Sequence, residues 1–219
     1  MLKTNDANLE LVACPLCGCD DSRPTPYAQK PYRVVRCAGC RLWYLSPRLT
    51  SSATERFYRS DYYFSGGQAG YADYAKQEKG LRITFRRLLT DLAGLHATGG
   101  RLLEIGSGLG YFLDEARNHF SQRHGVELSA KAAADAAARA DAPVYRDIEE
   151  IADKPQFDCI VALHVIEHIH QPVTFLRQIS GLLCQRRSNS RPAWRSKSRP
   201  VARGGADMQR GPIGPLCMS

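Results

Sequence analysis

From residue 81 to 95, Leu81, Phe85, Leu88, Leu89, Leu92 and Leu95 recur at three- and four-residue steps. They form one apolar face of a helix that ends near Gly99-Gly100. Leu102-Leu103-Glu104-Ile105 then predicts a buried strand running into Gly106, and Phe112, Leu113, Ala116 and Phe120 predict a helix. Val126 falls in a second short strand, and Ser129 is placed to cap the alanine-rich helix after it. Pro143 to Tyr145 predicts a third strand. Phe157 to Leu163 is apolar apart from Asp158, the pattern of a fourth strand covered on both faces. Pro172 opens a helix with Phe175, Leu176, Ile179, Leu182 and Leu183 on one face. Strands alternating with helices predict an α/β fold built on a parallel sheet.

Composition changes the picture in one respect. The chain has 219 residues and a formal net charge of +8, a value that points toward nucleic acid. The charge is not spread evenly. From Gln185 to Ser219 there are eight basic residues and a single acid, Asp207, so the preceding 184 residues carry only +1. That near-neutral body argues against a nucleic-acid partner. No apolar run approaches the ~20 residues of a membrane span, and the N-terminus lacks the basic-then-apolar order of a signal peptide. The expected location is the cytoplasm, where thiols stay reduced.

Five of the eight cysteines lie in the first 50 residues. Cys14-Pro-Leu-Cys17 and Cys37-Ala-Gly-Cys40 are two CxxC pairs with 19 residues between Cys17 and Cys37, a zinc-ribbon spacing. Each pair supplies two thiolates, and four close a tetrahedral site, which makes it structural rather than catalytic. Tyr32 to Arg36 and Leu42 to Leu45 predict the ribbon strands around the second pair. Cys19 is a spare thiol beside the site, and Cys159 is expected to pack as a small hydrophobe.

Glu104-Ile105-Gly106-Ser107-Gly108-Leu109-Gly110 places E-x-G-x-G-x-G between a strand and a helix, where the backbone must turn tightly and approach a ligand. Glu127 follows the second strand, 21 residues beyond Gly106, at the distance of a ribose-binding acid. Asp147 follows the third strand, and His164-Val165-Ile166-Glu167-His168 follows the fourth. All lie at carboxyl ends of strands, where open α/β sheets bind ligands. The third glycine comes one residue too early for the dinucleotide fingerprint G-x-G-x-x-G, which argues against a nicotinamide cofactor.

In combination, the paired cysteines, the segment Tyr58-Arg59-Ser60-Asp61-Tyr62-Tyr63, LLEIGSGLG, GVELS and FDCIVALHVIEHI resemble class I S-adenosylmethionine-dependent methyltransferases with an N-terminal zinc ribbon. The resemblance runs to about residue 184. It implies that Glu104, Gly106, Ser107, Gly108 and Gly110 line the methionine end of the cofactor, that Glu127 holds the ribose hydroxyls, and that Leu128 packs on the adenine. Asp147 and Ile148 would flank the adenine, with Asp147 taking its amino group, and His164 would lie beneath the methionine moiety. Methyl transfer needs alignment more than covalent help. An oxygen acceptor also wants a general base, for which His164, Glu167 and His168 are the candidates, or else Glu167 and His168 only orient the loop. His164-x-x-Glu167-His168 departs from the E-x-x-E-H metal site of some relatives. Tyr58, Tyr62, Tyr63, Tyr71 and Tyr74 crowd the segment before the first strand, and Tyr62 or Tyr63 is the candidate to touch cofactor or acceptor.

The family pattern continues with a Pro-Gly-Gly-type turn and a fifth strand, whereas this chain continues from Leu183 into Cys184-Gln185-Arg186-Arg187 and an arginine-rich stretch. The break in mid-pattern favours a change of reading frame after about Leu183 over a natural basic tail. The expected organisation is a zinc ribbon (1–50), a tyrosine-rich linker and helix (51–99), an incomplete Rossmann-like domain with the first four strands (100–184), and a basic, disordered tail (185–219). The expected activity is methyl transfer from S-adenosylmethionine to a small-molecule or glycan acceptor. The alternatives are a non-catalytic cofactor-binding protein and a ribbon module for nucleic acid or protein.

Overall fold

The computed structural model describes residues 6–59, 74–151 and 156–184. Within them the N-terminal part is antiparallel. Strands β2 (Ser22–Gln29), β3 (Tyr32–Cys37) and β4 (Trp43–Leu45) form one sheet in that order, and β1 (Leu9–Glu10) pairs with β5 (Arg48–Leu49) in a second. β2 was not foreseen because Pro24 and Pro26 interrupt it. It is tolerated as an edge strand, with its register to β3 shifting between Pro24 and Ala28. Cys14, Val35, Cys37 and Tyr44 form a small core. Helix α1 (Ser51–Arg59) follows β5 after one residue.

The second part is a four-stranded parallel sheet in the order β8-β7-β6-β9, comprising β6 (Gly99–Ile105), β7 (Phe120–Val126), β8 (Val144–Tyr145) and β9 (Cys159–Ala162). β6 is central, with Ile105 level with Val126 on one side and Ala162 on the other. The strand order therefore reverses beside β6, the place where a crevice opens at the carboxyl ends of such sheets. Helices α2 (Glu78–Gly94), α3 (Tyr111–Glu115) and α4 (Ala130–Ala140) supply or border one core, in which Phe85, Leu89, Leu102, Tyr111, Phe112 and Leu113 are buried together. A second core gathers Leu103, Ile105, Val126, Ile148 and Phe157, with Phe175 and Ile179 of α5 (Pro172–Ser180) packed against it.

Several elements differ from the pattern-based expectation. Phe120 is not on the α3 helix; it begins β7, whose polar run Ser121-Gln122-Arg123-His124 concealed a seven-residue strand. β9 is shorter than expected and alternates buried and half-buried residues. Phe157 stands outside it in a single parallel bridge to Leu183. α5 ends at Ser180, so Leu182 is buried beyond the helix; Leu176, within it, is exposed. Cys159 is buried in the core, as expected. Among the described residues no helix is long and apolar enough to cross a membrane.

Candidate functional site: a glycine loop between two buried carboxyl groups

The loop after β6 folds as its glycines permit. Gly106, Gly108 and Gly110 have φ of +76°, +52° and +79°, in the left-handed region that side chains disfavour. The amides of Gly106 and Ser107 both donate to the Val126 carbonyl, at 2.8 and 3.1 Å, which fastens the loop to the end of β7. A Cβ on Gly106 would meet Val165 Cγ2, and one on Gly110 would meet the Ala136 backbone. Small residues there let the loop lie against α4 on one side and the segment after β9 on the other.

Glu127 is 8% exposed. Its Oε2 accepts from the Gly108 amide at 2.9 Å and its Oε1 from the Ser129 amide at 3.0 Å. Each oxygen keeps capacity for one further donor. Burial raises its pKa, opposed by those amides and by Arg146. Arg146 also donates from Nε to the Leu128 carbonyl at 2.8 Å, which steadies the half-buried Leu128. Sequence reasoning missed Arg146. Its only signal was adjacency to Asp147.

Glu104 is 3% exposed, and its Oε2 has no hydrogen-bond partner among the described residues. Burial first, and the neighbouring Glu127 carboxylate second, push its pKa well above the usual glutamate value. An orphaned carboxyl oxygen beside a glycine cradle fits a ligand with a cationic N–H donor. The methionine end of S-adenosylmethionine is such a group, and the paired acceptors of Glu127 fit a ribose diol.

The remaining predicted residues are placed less centrally. Asp147 caps a short 3-10 turn, with Oδ1 accepting from the Glu149 amide at 3.1 Å, and Ile148 is buried in the second core. His164 has φ +55° and a side chain 58% exposed, and its Nδ1 lies 3.5 Å from Glu167 Oε1. His168 instead turns to Tyr58 of α1, ring centroids 5.2 Å apart. Burial lowers the His168 pKa, with Glu167 opposing and His164 adding to the shift. Tyr74 stacks on Tyr111 at 5.8 Å, a packing role. Tyr62, Tyr63 and Tyr71 lie outside the described residues.

In the antiparallel part, the sulfur atoms of Cys14, Cys17, Cys37 and Cys40 all lie within 4.8 Å of one another. The Cys14–Cys40 and Cys17–Cys37 pairs are 3.4 and 3.5 Å apart. Thiolates bound tetrahedrally at about 2.3 Å would be spaced similarly. The Cys40 amide is the leading influence drawing the Cys37 thiol down to about 6. Cys19 stays out of the cluster, its Sγ 3.6 Å from the Asp21 carbonyl oxygen. Among the described residues this is the one group of three or more such side chains able to hold a metal ion, so His164, Glu167 and His168 do not form a second.

Residues 75–184 match a family described as a methyltransferase domain. A ubiquinone biosynthesis O-methyltransferase of Rhodopseudomonas palustris is 34% identical over 92 residues, covering 39% of this chain and 36% of that protein. A protein of the same name from Bradyrhizobium diazoefficiens is 31% identical over 105 residues, covering 45% and 42%. The matches thus span about two fifths of these curated relatives. Among solved structures, magnesium protoporphyrin IX methyltransferase from Synechocystis PCC 6803 aligns with a TM-score of 0.45 and 17% identity, over 59% of this chain and 72% of that one.

Proposed function

The chain belongs to the class I S-adenosylmethionine-dependent methyltransferase family, and from that premise we propose that it methylates a small-molecule or glycan acceptor, with zinc as a structural clamp in the four-cysteine site. The observation that carries the reading is the orphaned, buried Oε2 of Glu104 beside the glycine loop.

When bound, S-adenosylmethionine supplies a methyl group on a positively charged sulfur, an electrophile that needs alignment more than activation. Glu104 would accept from the amino group at the methionine end, and the loop from Gly106 through Ser107 and Gly108 to Gly110 would leave room for it. Glu127, already aimed by two backbone amides, would take the ribose hydroxyls with its remaining acceptor positions. Leu128, Ile148 and Asp147 would hold the adenine, with Asp147 the acceptor for its amino group, and His164 would contribute at the methionine end. The names of the two curated relatives make oxygen the first acceptor atom to test. His168 is the group for that proton. Its depressed pKa keeps an imidazole nitrogen free to accept at neutral pH, with Glu167 beside it to stabilise the charged form.

Calorimetric titration with S-adenosylmethionine and S-adenosylhomocysteine tests the reading. Both are expected to bind, and Glu127→Ala to weaken them about tenfold or more, the scale of two lost hydrogen bonds. Failure of both ligands to bind the folded protein would overturn it.

A further inference from the structure

Two short strands flanking the cysteine site reach the loop after β9. β1 ends four residues before Cys14, and β5 begins eight residues after Cys40. They pair with Glu10 opposite Arg48. Arg48, its side chain 18% exposed, donates from Nε to Glu10 Oε1 at 2.9 Å and from Nη1 to the His170 backbone oxygen at 3.1 Å. His170, 17% exposed, returns the contact, its Nε2 lying 2.9 Å from the Leu49 carbonyl oxygen. Helix α1 is tied to the same ladder: Arg56 Nη2 donates to Asn8 Oδ1 at 3.0 Å, and the Thr50 amide to the Asn8 carbonyl at 2.8 Å. From α1, Tyr58 meets the His168 ring. The loop carrying Glu167 and His168 is therefore held at two points by groups that lead straight back to the cysteine pairs.

We propose that Arg48 is a positioning residue: with His170 it latches the ribbon onto residues 166–170 of the loop after β9, so that metal in the ribbon sets His168 on the acceptor side of the site while the carboxyl groups of Glu104 and Glu127 are held independently of it. The purpose of the latch rests on the methyltransferase reading; its geometry does not. A guanidinium suits the task because one planar group serves a carboxylate and a carbonyl at once, which an ammonium at the end of a flexible stem does less well. The independence of the two carboxyl groups follows from connectivity. Glu104, Gly108 and Glu127 hang from β6 and β7, and the hydrogen bonds that fix Glu127 come from Gly108 and Ser129 rather than from the ribbon.

The test uses the full chain, metal-loaded and metal-stripped, with three readouts: amide hydrogen exchange, the His168 imidazole titration by NMR, and calorimetric affinity for S-adenosylmethionine. Arg48→Ala is expected to speed exchange at the His168 and Ile169 amides by about tenfold, and to raise the His168 titration midpoint as the ring leaves its half-buried position. Stripping metal from the wild type is expected to do the same, and stripping it from Arg48→Ala to add no more than about twofold. Arg48→Lys restores part of the effect, and His170→Ala reproduces the break from the other side. Exchange at residues 101–105 stays within about threefold throughout, and cofactor affinity falls by less than the roughly tenfold expected for Glu127→Ala, because Glu104 and Glu127 keep their places. Unchanged loop exchange in Arg48→Ala would overturn the proposal, as would metal removal loosening the loop equally with and without Arg48. A wild type that does not bind S-adenosylmethionine would overturn the methyltransferase reading instead, leaving the latch to be judged on exchange alone.

Discussion

Glu104 and Glu127 are two buried carboxyl groups at the ends of neighbouring strands, in opposite hydrogen-bonding states. Both Glu127 oxygens accept backbone amides, whereas Glu104 Oε2 has no partner among the described residues. Among the described residues, the groups bearing on Glu104 are the Glu127 carboxylate and the Leu113 amide, with no cation between them. Its cross-strand neighbours, Gly125 and Val161, offer no side-chain hydrogen bond. The asymmetry favours Glu127 as the ionised member and Glu104 as the protonated one.

The first expectation concerns stability. A folded-state pKa raised above the ordinary glutamate value of 4.5 contributes stability that is fully present below that value and is lost as pH rises through the folded-state value. Burial raises Glu127 as well, so it acts in the same direction. The contribution of these two carboxyl groups is thus expected to decline from about pH 5 toward pH 8, against that of the half-buried His168 and His124, whose lowered pKa values act the other way. Glu104→Gln keeps the size and removes the titration, and is expected to flatten that slope and gain about 1 kcal/mol at the alkaline end, the scale of one buried unpaired polar group. Urea unfolding at several pH values checks this. Parallel slopes in the two proteins would show that Glu104 does not titrate in this range.

Cofactor binding should carry the proton with it. A cationic amino group at Glu104 favours the carboxylate, so binding at neutral pH is expected to release up to one proton, and affinity to rise with pH. Calorimetry in two buffers of different ionisation enthalpy measures the count. Glu104→Gln is expected to release no proton at this position and to bind about tenfold or more weakly, the scale of one charge-assisted hydrogen bond.

The alternation of apolar runs and amphipathic stretches was enough to read the parallel sheet, because β6 and β9 are apolar and α2 has one clean face. β7 was half-hidden, since its middle is polar and only Phe120 at its start and Gly125 and Val126 at its end are deeply buried. The cysteine pairs were legible from spacing alone, because metal geometry fixes how far apart paired thiolates can be. The latch was not legible. Arg48 and His170 stand 122 residues apart, and neither belongs to a local pattern that announces a partner. Arg146 was missed for the same reason, since its contact to Leu128 depends on the β7–β8 register.

Gly110 gives a sharper packing test than the other loop glycines. With φ at +79°, any side chain is strained, and a Cβ would lie 2.7 Å from Ala136 Cα and 2.9 Å from its carbonyl oxygen. Backbone of a buried helix cannot step aside as a side-chain tip can. Gly110→Ala is therefore expected to cost about 2–4 kcal/mol, the sum of left-handed strain and overpacking. Ala136→Gly should recover part of the packing loss, because it removes the Cβ at 2.9 Å and lets α4 relax. Chemical denaturation of the two single variants and the double variant measures the coupling. Strict additivity would mean that the loop does not lean on α4.

Metal removal should act on the ribbon before the parallel sheet. The small core of the ribbon contains two of the four thiols, Cys14 and Cys37, beside Val35 and Tyr44. So few apolar side chains cannot hold an antiparallel sheet of this size, and the free energy of metal binding becomes folding free energy. The full chain is expected to hold one zinc ion, and cobalt in its place to show the intense thiolate charge-transfer absorption of a four-sulfur tetrahedral site. Cys14→Ser should reduce both, whereas Cys19→Ser, which lies outside the cluster, should leave the stoichiometry at one. Chelation is expected to raise hydrogen exchange across β3 and β4 by orders of magnitude while β6 and β7, paired within their own sheet, remain protected. Metal content unchanged in Cys14→Ser, or β6 losing protection together with β3, would contradict this order of events.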